Sequence, residues 1–573
     1  MKLITDQLSE ILGKAFIKAG YEAKYGQAVI SDRPDLCQFQ CNGALPNAKL
    51  FKKSPMAIAN EVVSFLADDK MIEKVEVAAP GFINIVLSDE YLVGYLTEVF
   101  HDPHLGIPQA EQNEVIVLDY GNPNVAKPLH VGHLRSAIIG ESLKRIIMAT
   151  GRTAIGDVHL GDWGLPMGLV LAELDERYGT DIPTLTTELL NEIYPFASKK
   201  SKIDEAFLEK ARTFTAQLQK KEPHLTEIWK KMIQLSVDDI KITFNRLNAT
   251  FDFWYGESDA SNYVPELLRI LREKELLTDS EGAKVVVVAE DNDKSTIPPI
   301  IIMKSNGSEG YATTDMATII QRQRDFHPNK IWYVVDHRQN LHFTQVFRAA
   351  RKAELVPSNT ELTHLCFGTV NGKDGKPFKT RDGGVMQLSE LLDSVTEYAY
   401  HKMKTSNVTD EHKRREYAEK IGIAAIKFGD LINHYSKDCV FDIDKFMASE
   451  GKTGVYLLYV IARINSILRK ISASDLTNKK INGIYSDSER DLIMVLVLSG
   501  NAFSSAYNEK APNIVCENAY KIAVAFSKFY HENHIINEDD ADKKHSWLTL
   551  CEITKQMLEK HLYVLGIESV DRM

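Results

Sequence analysis

The chain has 573 residues, 44% hydrophobic and 26% charged, with a formal net charge of −11. That length exceeds what one core organises and predicts roughly three or four domains, and the composition excludes a fibrous or disordered chain. The acidic balance excludes a protein that coats nucleic acid non-specifically, though not one with a local basic path.

The first 20 residues place Leu3, Leu8, Ile11, Leu12 and Phe16 on one helical stripe, with Asp6 and Glu10 interleaved. They lack the continuous apolar stretch of a signal peptide. VEVAAPGFINIVLS then reads as strands joined at Pro80-Gly81. Residues 1–108 are therefore expected to form a small α+β domain, closed by the polar, Pro/Gly-bearing segment 101–114.

From Val115 to Gly151 the pattern is strand, irregular loop, helix: VIVLD is a short buried-type strand, and Leu134, Ala137, Ile138, Ile146 and Ile147 recur at helical spacing. Strand-like runs at 155–159, 285–289, 299–303 and 331–335 alternate with helical stretches, which predicts an open, mainly parallel α/β sheet. Residues 180–280 read as helical insertions. Beyond about residue 454, VYLLYVIARINSILRKI and ENAYKIAVAFSKFYHENH predict a separate helical bundle.

Six cysteines, at 37, 41, 366, 439, 516 and 551, are too sparse for a disulfide framework. Cys37 and Cys41 lack a second Cys or His pair at finger-like distance, so free thiols are expected. The purest apolar runs, 285–289 and 300–303, are far shorter than the roughly 20 residues of a bilayer-spanning helix. A cytoplasmic location and no membrane partner are expected.

The loop GNPNVAKPLHVGHLRS carries His130-Val131-Gly132-His133 directly after a strand and at the start of a helix. Helix N-terminal N–H groups and the dipole favour phosphate, Gly132 permits close approach, and two imidazoles three residues apart can face one ligand. Taken alone, the two histidines are also compatible with an incidental pair or a metal site. The Gly-rich GKDGKPFKTRDGG puts Lys376 and Lys379 on a loop, where they are either a solvated hairpin tip or movable charges for phosphate.

HVGH resembles the HIGH signature of class I aminoacyl-tRNA synthetases, and PNVAKPLHVGHLRS with the later GDWGLPMG resembles the arginyl-tRNA synthetases. GKPFKT looks like that family's version of the KMSKS loop. LCQFQCNGAL and PGFINI resemble its N-terminal tRNA-contacting domain, and GKTGVYLLYVIARINSILRK with LGIESVDRM its DALR-type anticodon-binding domain. The resemblance runs nearly end to end. Gly121-Asn122 before Pro123, and His337 before Arg338, depart from the family pattern.

The resemblance implies a Rossmann-like catalytic domain over 109–454, preceded by the N-terminal domain (1–108) and followed by the helical domain (455–573). It implies L-arginine, ATP with Mg²⁺, and tRNA(Arg) as partners, with no resident metal and with tRNA bound before the adenylate forms. A monomer is expected, because no dedicated oligomerisation segment is found. His130, His133, Lys127 and Lys379 take the catalytic positions, and Asn124, Gly132 and Lys376 join His130, His133 and Lys379 around ATP. A guanidinium requires carboxylates, which match its planar fork of donors. Asp119 and Asp315 fall where the family carries acidic arginine contacts, Tyr311 shares a face with Asp315 if that segment is helical, and Asn124 and Gln339 match positions that hold the α-amino and carboxylate ends. The rival readings are another class I synthetase, such as one for cysteine, another nucleotidyltransferase that shares the HIGH-type loop, and a non-catalytic tRNA-binding or regulatory protein that kept the fold.

Overall fold

The computed structural model describes residues 1–305, 307–376, 386–403, 408, 410–471 and 480–573. The front of the chain forms a four-stranded antiparallel sheet in the order Ala28–Ile30, Phe39–Cys41, Phe82–Leu87, Ile72–Ala78. The predicted stripe of the helix Ile4–Lys18 is where its burial lies: Leu8, Leu12 and Phe16 are fully buried. Cys37 and Cys41 are free and buried.

A second sheet is wholly parallel, in the order Glu361–His364, Lys330–Tyr333, Val115–Asp119, Thr153–Asp157. VIVLD is central because its alternate side chains enter two cores. Ile116 and Leu118 pack with the helix Gly132–Ala149, and Val117 packs with Met316, Ile319 and Ile320 of the helix Tyr311–Phe326. Asp119 stands in register with Asp157 on one side and Tyr333 on the other. The carboxyl ends of these strands therefore share one edge, where open α/β sheets bind ligands.

Two runs expected in this sheet are elsewhere. Residues 285–289 and 299–303 contribute to a separate antiparallel sheet of Leu277–Ser280, Ala283–Val286 and Ile300–Met303. The reason is visible in their burial: Ile300 and Ile302 are buried while Ile301 is 48% exposed, the alternation of a one-sided sheet. Residues 180–280 are mainly helical as expected, in Thr187–Lys200, Glu205–Gln219, Pro223–Arg246 and Val264–Glu273.

The back of the chain is helical, with Gly454–Leu468, Asp487–Val497, Ser499–Asn508, Pro512–Glu532 and Ala541–Val564. Thr453, Ser486 and Asp540 each accept a backbone N–H and so cap three of these helices. The bundle is joined to the parallel sheet's layer by buried polar links. The Lys427 ammonium group donates to the carbonyls of Leu247 and Gly566 at 2.6 and 2.8 Å, and Arg145 donates to that of Tyr563 at 2.9 Å. Among the described residues, no helix is long and apolar enough to cross a membrane.

Candidate active site

The loop after Val115–Asp119 is pinned on both sides. The Gly121 N–H donates to Ser136 Oγ at 2.8 Å, and that hydroxyl donates to the Val334 carbonyl at 2.7 Å, which ties the loop to the neighbouring strand's end. Further on, Gly161 N–H donates to Pro123 O at 2.9 Å and Val125 N–H to Gly161 O at 3.1 Å. A Cβ at Gly161 would lie 2.3 Å from Asn124 Oδ1, so only glycine permits this approach. Val131 N–H donates to Met386 O and Leu388 N–H to Leu129 O, which fastens the far end of the loop to the segment that follows the lysine-bearing loop.

His130 and His133 face each other, with ring centroids 4.0 Å apart. The Gly132 N–H donates to His130 Nδ1 and the His130 N–H to His133 Nδ1, each at 3.0 Å. With Nδ1 accepting, the neutral His130 ring carries its proton on Nε2 and presents it away from the backbone, while His133 Nδ1 also lies 3.2 Å from the His130 carbonyl, to which it donates in the other tautomer. Burial and the nearby Lys127 and Arg338 push the His130 pKa down, and burial with the adjacent His130 lowers His133 to about 3. At neutral pH both rings are uncharged donors. The Lys127 ammonium lies 4.5 Å from the Tyr194 ring centroid.

Beside this loop lies a cavity of about 590 Å³ whose lining includes Trp163, Glu257, Lys304, Tyr311 and Thr314. The segment Tyr311–Phe326 is helical, which puts Tyr311 and Asp315 one turn apart on one face. Asp315 Oδ2 is 2.5 Å from His342 Nε2. Glu257 is held at the cavity by backbone bonds, Leu160 N–H to Tyr255 O at 2.7 Å and Glu257 N–H to Leu160 O at 3.0 Å. Burial raises its pKa to about 7; His159 opposes the shift and the acids Asp315 and Asp162 add to it. A cation placed between two such acids would favour the charged form of both. Among the described residues, no group of three or more His, Cys, Asp or Glu side chains is arranged to hold a metal ion.

Residues 96–443 match the family described as tRNA synthetases class I (R), catalytic domain; residues 2–87 match the arginyl tRNA synthetase N-terminal domain, and residues 457–573 the DALR anticodon binding domain. The chain belongs to the arginyl-tRNA synthetase family. Proteins named arginine–tRNA ligase from Alkaliphilus oremlandii and Agathobacter rectalis are each 45% identical to it, over 587 and 597 aligned residues that cover the whole of both chains. The arginyl-tRNA synthetase structures of Plasmodium falciparum and Thermus thermophilus share the fold over the whole of both chains, with TM-scores of 0.83 and 0.81 at 24% and 21% identity.

In this arginyl-tRNA synthetase family member, Asn124 and His130 lie on the loop and Gly132 and His133 open the helix that follows it, while Tyr311 lines the cavity and Asp315 stands one turn further along the same helix. Gln339 is exposed at the end of the turn His337–Gln339, three residues before His342. Lys376 is exposed in a turn closed by Gly372 N–H to Lys376 O at 2.8 Å, and Lys379 lies outside the described residues.

Asp119 is not presented to the cavity as a free acid. It is 3% exposed, its Oδ2 accepts from Arg322 at 2.7 Å, and its Oδ1 accepts from Asn122 at 2.7 Å. Arg322 also donates to Asp157 at 2.6 Å. Asp119, expected as an arginine contact, is held here in an internal ion pair, because a buried charge takes the nearest fixed partner. Sequence reasoning missed Glu257, which stands in the acidic place beside Asp315. Its local sequence, YGESDA, carries no signal of its own. His342 was also missed, although it stands only three residues after Gln339.

Proposed function

We propose that this chain is an ATP-dependent arginine–tRNA ligase whose chemistry takes place between the His130–His133 loop and the Glu257–Asp315 cavity. The observation that carries this reading is the acid pair Glu257 and Asp315, Glu257 lining the cavity and Asp315 on the helix that supplies its Tyr311 and Thr314, together with a helix start that carries two uncharged imidazoles.

Arginine enters with its guanidinium toward Glu257 and Asp315, and the phenol ring of Tyr311 packs over it. Asn124 and Gln339 hold the α-amino and carboxylate ends. ATP lies along the helix start, its phosphates facing Gly132 and the imidazoles of His130 and His133. Mg²⁺ arrives as the nucleotide's counter-ion, part of the substrate, with phosphates and water as its oxygen ligands.

An arginine carboxylate oxygen attacks the α-phosphorus in line. The new O–P bond forms as the bond to the β-phosphate's bridging oxygen breaks, which gives arginyl-adenylate and pyrophosphate. Lys127, Lys376 and Lys379 neutralise the departing charge, and the imidazoles donate to phosphoryl oxygens as charge shifts. The terminal ribose hydroxyl of tRNA(Arg) then attacks the adenylate carbonyl and releases AMP. Positioning and electrostatics supply the acceleration, with little acid–base chemistry required.

Three further assignments belong to this proposal: domain limits at 108 and 454, a monomer in solution, and a cytoplasmic location with no membrane partner. The reading is tested by incubating the protein with labelled arginine, ATP and total tRNA. Label made acid-precipitable through tRNA, with AMP released in equal amount, supports it; ATP consumption without charged tRNA sinks it.

A further inference from the structure

His159 is 9% exposed, and neither of its ring nitrogens has a hydrogen-bond partner among the described residues. A buried polar group without a partner gives up its hydration with nothing in return, so such a group in a native protein calls for an explanation. Its backbone φ of +42° adds a second cost, because non-glycine residues rarely adopt the left-handed region. Two unfavourable features at one residue mark a place where function outweighs stability.

The position is central to the site. His159 follows the strand Thr153–Asp157 past its carboxyl end, the edge of the sheet where ligands bind. The chain around it is clamped on both sides. Asn122 N–H donates to Val158 O and Gly161 N–H to Pro123 O, which ties it to the Asn124 loop, while Leu160 N–H donates to Tyr255 O and Glu257 N–H to Leu160 O. Its ring lies near both Glu257 and Asp162. Asp162 is already bonded by Ser258, through the backbone N–H at 3.0 Å and the hydroxyl at 2.6 Å. Asp315 has one oxygen committed to His342. Of the groups around this corner, Glu257 and His159 have capacity left.

We infer that His159 is a specificity-determining residue that completes the guanidinium pocket, one ring nitrogen accepting an N–H of the substrate's guanidinium and the other donating to Glu257. A guanidinium presents five donors and no acceptor, so a site built for it gains from every fixed acceptor. A neutral imidazole offers one acceptor and one donor. When its N–H bonds to a Glu257 oxygen, the ring's orientation is set and the remaining nitrogen is left to accept from the substrate. Both orphaned nitrogens are thereby satisfied in one step. The inference rests on the placement of arginine at Glu257 and Asp315 proposed above.

The test compares arginine with ω-N-methylarginine in tRNA-supported ATP–pyrophosphate exchange, for the full-length protein and the variants His159→Asn and His159→Gln. Asparagine tolerates the left-handed backbone, so the first variant keeps the turn. Loss of a hydrogen bond to a charged group corresponds to about 10- to 100-fold in affinity. His159→Asn is expected to raise the arginine KM by about that factor, to leave the ATP KM unchanged, and to narrow the preference for arginine over its methylated analogue. His159→Gln, whose longer amide reaches further, recovers part of the loss. An unaltered preference in an otherwise active variant, or equal damage to the ATP and arginine constants, overturns the inference alone. Should the variant Glu257→Gln also leave the arginine KM unchanged, the placement of arginine fails and the inference with it.

Discussion

Arg322 donates to Asp119 at 2.7 Å with both side chains almost wholly removed from water, at 1% and 4% exposure. Arg322 lies about two turns of helix beyond Asp315, so the pair braces the strand that leads into the His130 loop against the helix that carries Tyr311 and Asp315. Arg322 keeps its second buried partner, Asp157, when Asp119 is neutralised. The variant Asp119→Asn is expected to lose about 1–2 kcal/mol of stability, the order of one charged hydrogen bond, and to keep its arginine KM at temperatures where it is folded. Thermal unfolding and steady-state kinetics together check this; a stable protein with a raised arginine KM would return Asp119 to the pocket.

Glu257 is the titrating group of the cavity, with its pKa raised to about 7. In the proposed site arginine binds the ionised form, so the free protein must lose that proton first. The kcat/KM for arginine is therefore expected to fall by about tenfold per pH unit below about 7. Glu257→Gln should raise the arginine KM and abolish this limb of the profile. Asp315→Ala should raise the arginine KM without abolishing the limb.

The two imidazoles of the signature loop act as neutral donors, His133 with a pKa lowered to about 3. Loss of one positioned donor to a developing charge costs about 10²–10³ in rate. His133→Ala is accordingly expected to reduce kcat by that order while the arginine KM changes little. Lys379→Ala should likewise act chiefly on kcat; a pure effect on the ATP KM would assign that lysine to ground-state binding.

His561 is fully buried in the helical bundle between the Met557 carbonyl and the Asn518 side chain, both at 2.7 Å, and its pKa is lowered to about 4. A folded-state value below the unfolded one of about 6.5 means the unfolded chain takes up the proton first. The stability due to the neutral ring is complete above pH 6.5 and is lost as pH falls toward 4, about 2 kcal/mol by pH 5. Calorimetry at pH 7.5 and 5.0 should show this loss, and His561→Gln should reduce it.

The strand–loop–helix at 115–151 was legible because VIVLD is uniformly apolar and the helix repeats its apolar residues at helical spacing. The HVGH histidines were legible for a local reason too: their partners are backbone groups within three positions. What was not legible depends on distant contacts. Asp119 finds Arg322 at a separation of 203 residues, and no spacing rule connects them. Glu257 reaches the cavity only because the 253–257 segment runs beside 157–160 as an added extended stretch. The runs at 285–289 and 299–303 were read as strands, but sheet membership is decided by which faces are buried, and a short apolar run does not state that.

The central claim, that this site activates arginine, is tested most directly by ATP–pyrophosphate exchange on the purified protein, with and without total tRNA and with cysteine and lysine as controls. The account predicts exchange with arginine, dependent on tRNA. Exchange driven by cysteine or lysine, or none with arginine while tRNA is bound, would contradict it.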